Sequence, residues 1–266
     1  MSDLGPLVVI TRETDAADSL ARALAAHGLR AWHVPTVATA PPPRPGDLDD
    51  AIETLPEADW LVFTSPRAIP AICSRPRWAQ VWPGVATRVQ IAAVGPATAA
   101  ALRAIGMSAA IVSQEPGRDG LLPAMTAAAQ SIAGRRIVWP RGAGAHDAWA
   151  RAAERAGAHV TAPVAYCTVG VPVEALAALV TAVRARGMAA ITFLSPSSAT
   201  SLARVFPEAS LRELHARVAV ATIGPTTAQA LLALGASPDV VAATPTVDAL
   251  AAGLARHLAI AAGGRS

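Results

Sequence analysis

The chain has 266 residues, 53% of them apolar and 4% aromatic, with a formal net charge of +3, so it is long enough for two domains that each bury a core. All 22 basic residues are arginine, which excludes Schiff-base, pyridoxal-phosphate and P-loop chemistries, each of which needs a lysine amine, and argues against a receiver-type signalling domain. The sequence pI near 9.6 reflects how little titrates between histidine and arginine; with few aromatics and no dense arginine run, a nucleic-acid surface is not expected.

Met1-Ser2-Asp3-Leu4-Gly5-Pro6 carries no charged n-region before the first apolar run, so no signal peptide is expected. Apolar β-branched runs then alternate with Ala/Leu-rich stretches of helical period. In chain order the pattern predicts strand 7–11, helix 15–27 and strand 30–34. A stiff segment, Thr36 to Asp47, follows, with Pro41-Pro42-Pro43-Arg44-Pro45-Gly46 at its centre. Next come helix 47–55, strand 59–64, helix 66–74, strand 89–94, helix 96–105, strand 109–112 and helix 119–131. Strand 136–140, helix 146–156 and strand 159–164 lead to a second crossing segment, Tyr166 to Pro172. The chain closes with helix 173–186, strand 189–194, helices 197–204 and 208–215, strand 218–223, helix 225–234, strand 238–241 and helix 246–258. Val218 to Pro238 has no charge, but Gly224-Pro225-Thr226-Thr227 in its middle argues for strand, turn and helix rather than a membrane span. Several strands are apolar throughout, which indicates parallel sheets covered on both faces. The fold class is therefore α/β with doubly wound sheets.

The chain repeats itself. Val8-Val9-Ile10-Thr11-Arg12 returns as Ile137-Val138-Trp139-Pro140-Arg141. Trp60 to Pro66 returns as Ala190 to Pro196, and Ala93 to Ala99 as Thr222 to Ala228. A duplicated unit predicts two similar lobes with a cleft between them, and such clefts are preferred ligand sites. The two crossing segments occupy corresponding places in the repeats. Either each half of the sequence is one lobe, or the first strand-helix-strand joins the last third and the middle forms one continuous lobe; the sequence alone leaves both open.

Four strand ends share one design: Ser65-Pro66, Gly95-Pro96, Ser195-Pro196 and Gly224-Pro225. A small residue followed by proline suits a helix start, and the free amides of the next turn can hold an anion. Plain capping explains any single junction; two repeated pairs facing a cleft point to ligand binding. Hydroxyls crowd the same turns at Thr64, Ser65, Thr98, Ser195, Ser197, Ser198, Thr226 and Thr227. Arg12, Arg67 and Arg141 are candidate carboxylate partners, though each could equally face solvent. Gly142-Ala143-Gly144 opens like a dinucleotide loop but lacks the third glycine. Cys73 and Cys167 have no metal spacing and read as reduced packing residues, and six scattered histidines suggest no metal site. Tyr166, the sole tyrosine, ends a strand where the chain crosses between lobes and can donate a hydrogen bond.

In order along nearly the whole chain, these pieces resemble the uroporphyrinogen-III synthase family: Val9-Ile10-Thr11-Arg12, Val62-Phe63-Thr64-Ser65-Pro66-Arg67-Ala68, Ala93-Val94-Gly95-Pro96, Pro140-Arg141-Gly142, Val164-Ala165-Tyr166, Phe193-Leu194-Ser195-Pro196-Ser197 and Ile223-Gly224-Pro225-Thr226-Thr227-Ala228. The residue after the family's tyrosine is often arginine; here it is Cys167. The resemblance implies two similar α/β lobes joined by a two-stranded β ladder, residues 1–37 with 168–266 forming one lobe and 38–167 the other. It also implies closure of hydroxymethylbilane to uroporphyrinogen III, with ring D inverted, water lost and neither cofactor nor metal used. Tyr166 would then meet the leaving hydroxyl. The substrate's many carboxylates would fall to Arg12, Thr64, Ser65, Arg67, Thr98, Arg141, Ser195, Ser197, Ser198, Gly224, Thr226, Thr227 and neighbouring amides. The expected setting is the cytoplasm, as a monomer with no membrane or nucleic-acid partner and a transient contact with porphobilinogen deaminase. Two other classes remain compatible with the residues themselves: a cytosolic two-lobed protein that senses a small anion, and a short nucleotide-sugar transferase.

Overall fold

In the computed structural model, the described residues are 5–12, 14–113, 120–145, 147–185, 187–204, 214 and 216–263. The chain opens with β1 (Leu7–Ile10), α1 (Thr14–Ala25), β2 (Arg30–His33) and β3 (Val37–Ala40). Then follow α2 (Gly46–Glu53), β4 (Trp60–Phe63), α3 (Ala68–Cys73), α4 (Pro76–Val85), β5 (Gln90–Val94), α5 (Gly95–Ala104), β6 (Ile111–Ser113) and α6 (Leu121–Ala129). β7 (Arg136–Val138), β8 (Arg141–Gly142), α7 (Ala148–Arg155), β9 (His159–Thr161) and β10 (Val164–Gly170) come next. The last part holds α8 (Ala177–Arg184), β11 (Ala190–Phe193), α9 (Pro196–Ala203), β12 (Ala219–Thr222), α10 (Pro225–Ala233), β13 (Val240–Val241) and α11 (Val247–Gly263).

Two compact units result, one of Met1–Ala38 with Val169–Ser266 and one of Thr39–Thr168. The first unit holds a five-stranded sheet of order β13-β12-β11-β1-β2, the second one of order β6-β5-β4-β7-β9. Under the sequence repeat, β1 corresponds to β7, β11 to β4 and β12 to β5, so the two sheets have the same strand order. All pairings in both are parallel. In the first unit β1 lies between β2 and β11, with Val8 opposite Ala190 and Ile10 opposite Thr192. The N-terminal strand and the C-terminal third therefore share one sheet.

Both faces of each sheet are covered, and the period of two along a strand divides its side chains between two cores. In β4, Leu61 and Phe63 enter a core with Leu48, Ile69 and Leu102. Trp60 and Val62, from the same strand, pack with Met125, Trp139 and Trp149. In the first unit Val9, Ile191 and Phe193 face Leu179, Leu202 and Leu231. Val8, Ile10 and Ala190 face Leu20, Leu250 and Leu254. Every residue of β4 and β11 is buried, which is why these strands read as continuous apolar runs.

A third sheet has the order β3-β10-β8. This corrects the expected ladder of two strands, because the short β8 pairs with β10, Arg141 opposite Val164 and Gly142 opposite Tyr166. The boundaries of the two units fall within β3 and β10. All three strands escaped the apolar pattern. β10 mixes buried, half-buried and exposed positions, and Pro163 separates it from β9, so Tyr166 is the third residue of a new strand rather than the end of the preceding one. The sequence also missed α4, where Pro76 occupies the first turn without losing a hydrogen bond and Pro83 sits inside the helix. Trp78 anchors that helix in the core and stacks on Trp82 at 4.6 Å. The expected helix at 208–215 lies outside the described residues except for Leu214. No helix among the described residues is long and apolar enough to cross a membrane.

Candidate functional site

The unit of Thr39–Thr168 brings three distant segments together around Tyr166. β10 carries the tyrosine, the turn after β4 carries Ser65, and β8 carries Gly142. The Tyr166 hydroxyl donates to Ser65 Oγ at 3.0 Å. Ser65 Oγ also accepts the Arg67 backbone N–H at 3.3 Å. Gly142 lies against the phenol ring: a Cβ there would sit 2.9 Å from Tyr166 Cζ and 3.0 Å from its Oη. The Ala143 N–H donates to the Tyr166 carbonyl at 2.9 Å, which ties the turn after β8 to the tyrosine backbone. Thr64, one residue before Ser65, accepts the indole N–H of Trp139 at 3.0 Å. Trp139 itself is buried against Trp149 in an edge-on pair with ring centroids 5.1 Å apart. Thr64 thus fastens the turn, while Ser65 holds the phenol.

The four strand-end junctions differ from one another. At Ser195 the expected cap is present: its Oγ accepts the Ser198 N–H at 3.4 Å and lies 3.0 Å from both Ser197 Oγ and Ser198 Oγ. At Gly224 the backbone is extended and α10 starts with Pro225 and no side-chain cap, so its first amides are left to solvent or ligand. At Gly95, the first residue of α5, φ is +74°, a left-handed turn that glycine adopts without a Cβ clash. At Ser65 the expectation of a helix beginning at Pro66 is corrected. α3 begins only at Ala68 and is six residues long. Bonds from Ala68 N to Ser65 O and from Ile69 N to Pro66 O form a tight lead-in turn instead. The Ser65 hydroxyl accepts from Tyr166 and from the Arg67 N–H within this turn, ahead of α3.

Of the remaining candidate hydroxyls, Ser197 is half-buried and Thr226 exposed, but Thr98, Ser198 and Thr227 are buried. Those three lie in the first turn of their helices and are buried against the packed face. Among the arginines, Arg12 is half-buried just after β1. Arg67 is half-buried and its Nη1 donates to Thr168 Oγ1 at 3.5 Å. Arg141 is committed locally: Nε donates to the Ala162 carbonyl at 3.2 Å, Nη1 to the Ala145 carbonyl at 3.3 Å, and Nη2 lies 3.5 Å from Asp147. It closes the loop after β8, a structural use that its place at a strand end did not disclose. The glycines of that loop lead into Asp147 at the start of α7, with His146 outside the described residues.

A buried hydroxyl chain in the other unit was not legible at all. Thr11 donates to the Thr192 carbonyl at 2.7 Å and Thr192 to the Val9 carbonyl at 2.9 Å. Thr36 contacts the carbonyls of Thr11 and Ser198 at 3.3 and 3.1 Å, and Ser201 donates to the Thr36 carbonyl. These bonds fix the start of the first crossing segment to α9. Among the described residues, no cluster of three or more His, Cys, Asp or Glu is placed to hold a metal ion.

A family model described as uroporphyrinogen-III synthase HemD matches residues 18–252. A curated uroporphyrinogen-III synthase of Synechococcus elongatus is 29% identical over 255 residues, covering 93% of each chain. Among solved structures, a mutant uroporphyrinogen III synthase of Thermus thermophilus aligns with a TM-score of 0.59 at 18% identity, over 96% of this chain and 100% of that one. The Helicobacter pylori uroporphyrinogen-III synthetase aligns with a TM-score of 0.60 at 14% identity, over 97% and 99%. At those identities the structural matches bear on the fold.

Proposed function

The chain belongs to the uroporphyrinogen-III synthase family, lyases of tetrapyrrole and heme biosynthesis that close hydroxymethylbilane to uroporphyrinogen III, and we propose that Tyr166 is the hydrogen-bond donor to the hydroxyl that leaves. The observation that supports this role is the pairing of its O–H with a neutral partner, Ser65 Oγ, at 3.0 Å. A serine hydroxyl both donates and accepts. When the substrate's hydroxyl arrives, the Tyr166 O–H can turn to it while the Ser65 O–H turns to the phenol oxygen, so neither half-buried hydroxyl loses its partner.

The chemistry then follows from the substrate. Electron density from the pyrrole nitrogen pushes out the hydroxyl, and the C–O bond breaks with both electrons on oxygen. The departing hydroxide, held by Tyr166, takes up a proton to become water; the ring N–H gives one up, leaving an azafulvene. Ring D attacks through its substituted carbon to a spiro intermediate, whose rearrangement inverts that ring. In free solution the azafulvene closes to the symmetric isomer, so the enzyme's task is placement more than acid strength.

For the carboxylates, the proposed holders are the amides at the starts of α5, α9 and α10, the hydroxyls of Ser197 and Thr226, and the guanidinium groups of Arg12 and Arg67. Thr64 and Arg141 support the fold of these turns. We place the enzyme in the cytoplasm, in keeping with the free thiols of Cys73 and Cys167, as a monomer that meets porphobilinogen deaminase only transiently. The test is isomer analysis. Hydroxymethylbilane is supplied with and without the protein in the presence of EDTA, and the products are oxidised and separated. Dominant uroporphyrin III is expected; isomer I alone from folded protein would overturn the reading.

A further inference from the structure

At the amino ends of the strands in the Thr39–Thr168 unit lies a cavity of about 480 Å³. It forms where chain segments enter the sheet: Trp60 opens β4, Gln90 opens β5, and Arg135 immediately precedes β7. The end of α6 adds Gln130. Ser65, which holds the Tyr166 hydroxyl, lies past the other end of β4, and the four residues of that strand span about 13 Å. We propose that this cavity is a second binding site, separate from the tyrosine seat, for a small oxyanion of the carboxylate or phosphate class.

Charge selects an anion. Both carboxylates on the wall, Glu57 and Asp59, are already balanced. Arg135 Nη1 lies 2.9 Å from Asp59 Oδ1, and Asp59 Oδ2 accepts the Arg136 N–H at 2.8 Å. Glu57 pairs with Arg136 Nη1 at 3.0 Å. Arg88 differs: its Nη2 donates to the carbonyls of Leu55 and Pro56, which are neutral. Among the described residues it has no carboxylate partner, so the wall carries its full positive charge. The two carbonyls also hold the guanidinium in place, which leaves less side-chain freedom to lose on binding. Nε and Nη1 of Arg88 have no partner among the described residues, and charged N–H donors of this kind favour an oxyanion.

The remaining walls fit the same occupant. Gln90 and Gln130 are exposed and add amide donors that no other described residue uses. Gln130 ends α6 with φ at 61°, and it is the one described non-glycine residue with a positive φ. Glycine ordinarily fills that place after a helix, but glycine would bring no side chain to the cavity. The carbonyls at the end of α6 carry about half a negative charge, which the full charge of Arg88 outweighs. Ala58 and Trp60, both buried, supply an apolar patch. Ligand cavities run from about 300 to 1,000 Å³, so there is room for a small metabolite that carries the anion as well as for a bare ion.

The test is isothermal titration calorimetry on the full chain at constant ionic strength, with inorganic phosphate in one arm and succinate in the other. Saturable binding of at least one anion is expected. Arg88→Gln should weaken it about tenfold or more, as the loss of a charged donor requires. Gln90→Glu brings a carboxylate to an exposed wall position and leaves the carbonyl contacts of Arg88 in place, so it should weaken binding to a similar degree. Arg67→Gln, among the proposed substrate holders, should leave the affinity within about twofold.

Binding of phosphate alone or of succinate alone, weakened by Arg88→Gln, would support the site and identify which oxyanion it takes. No saturable binding of either anion up to about 10 mM would overturn it. Wild-type affinity in both Arg88→Gln and Gln90→Glu, with thermal melts showing them folded, would overturn it as well. Binding lost in Arg67→Gln but kept in Arg88→Gln would overturn it too, and would assign the anion to the substrate's own carboxylate holders. If Arg88→Gln fails to fold for want of its carbonyl contacts, Gln90→Glu decides alone.

Discussion

Tyr166 and Ser65 lie 101 residues apart in the chain and 3.0 Å apart in space, joined by one hydroxyl-to-hydroxyl bond. If Ser65 acts by holding the phenol, its effect must pass through Tyr166. Tyr166→Phe should lower kcat roughly ten- to a hundredfold, the worth of a hydrogen bond to a charged group at about 1.5–3 kcal/mol. Ser65→Ala should cost a smaller, few-fold loss. The decisive quantity is the double variant: Ser65→Ala should add nothing once Tyr166 is Phe, a non-additivity that a cycle of four kcat measurements detects. Additive losses would mean that Ser65 touches substrate independently.

Gly142 should tolerate no side chain. A Cβ at this position would stand 2.9 Å from Tyr166 Cζ, closer than non-bonded carbons approach, so the ring must move. Gly142→Ala should reduce kcat at least as much as Ser65→Ala while the protein still melts cooperatively. Because Tyr166 is the only tyrosine, labelling with ¹³C-tyrosine gives one set of ring signals, and these should shift in Gly142→Ala. Unchanged ring signals would show that the backbone of β8 yields instead.

How far these contacts could be read beforehand differs from residue to residue. β4 and β11 were plain because they are buried on both faces and need only apolar side chains. Which strand lies beside β1 was open, since such strands carry no mark of their neighbour; the register with β11 decides it. β3, β8 and β10 were hidden because their side chains are mixed in burial. At the junctions, residue type revealed a cap at Ser195 but not the diversion of Ser65 to Tyr166, a contact set by tertiary structure. Thr98, Ser198 and Thr227 were visible as hydroxyls, yet their inward direction depends on helix phase against the sheet. Gly142 drew notice for a dinucleotide pattern, whereas its actual constraint comes from a ring placed over it by β10.

The Asp49–Arg75 pair should give the protein a modest, pH-dependent increment of stability. The hydrogen bond from Arg75 holds the Asp49 carboxyl below the usual carboxylate range, against a smaller opposing effect of burial. A lowered folded-state value means that the increment is complete above the unfolded carboxyl pKa, near 3.9, and is lost as the pH falls through the folded value. Both side chains are about one-third exposed, at 29% and 32%, so solvent screening limits the pair to at most about 1 kcal/mol. Asp49→Asn should therefore lower Tm slightly at pH 7. The difference from wild type should shrink below about pH 4 and approach zero once Asp49 is protonated. An equal difference at both ends of that range would assign the effect to packing.

Cys73 should resist alkylation at neutral pH. Burial raises its thiol to about 11, because an apolar surrounding disfavours the charged thiolate. It packs against the core that contains Ile69, Ile72 and Trp78. The thiolate is the reactive form, so at pH 8 only about one thiol in a thousand is ionised, and access is restricted as well. Iodoacetamide at pH 8, followed by peptide mass mapping, should leave Cys73 unmodified over a period in which a denatured control is fully labelled. Ring-closing activity should persist in the treated protein as far as Cys73 is concerned, and Cys73→Ala should melt earlier yet keep its isomer III product. Rapid labelling of native Cys73 would show that the α3 segment opens, and would require a less tightly packed wall beside the Tyr166 seat.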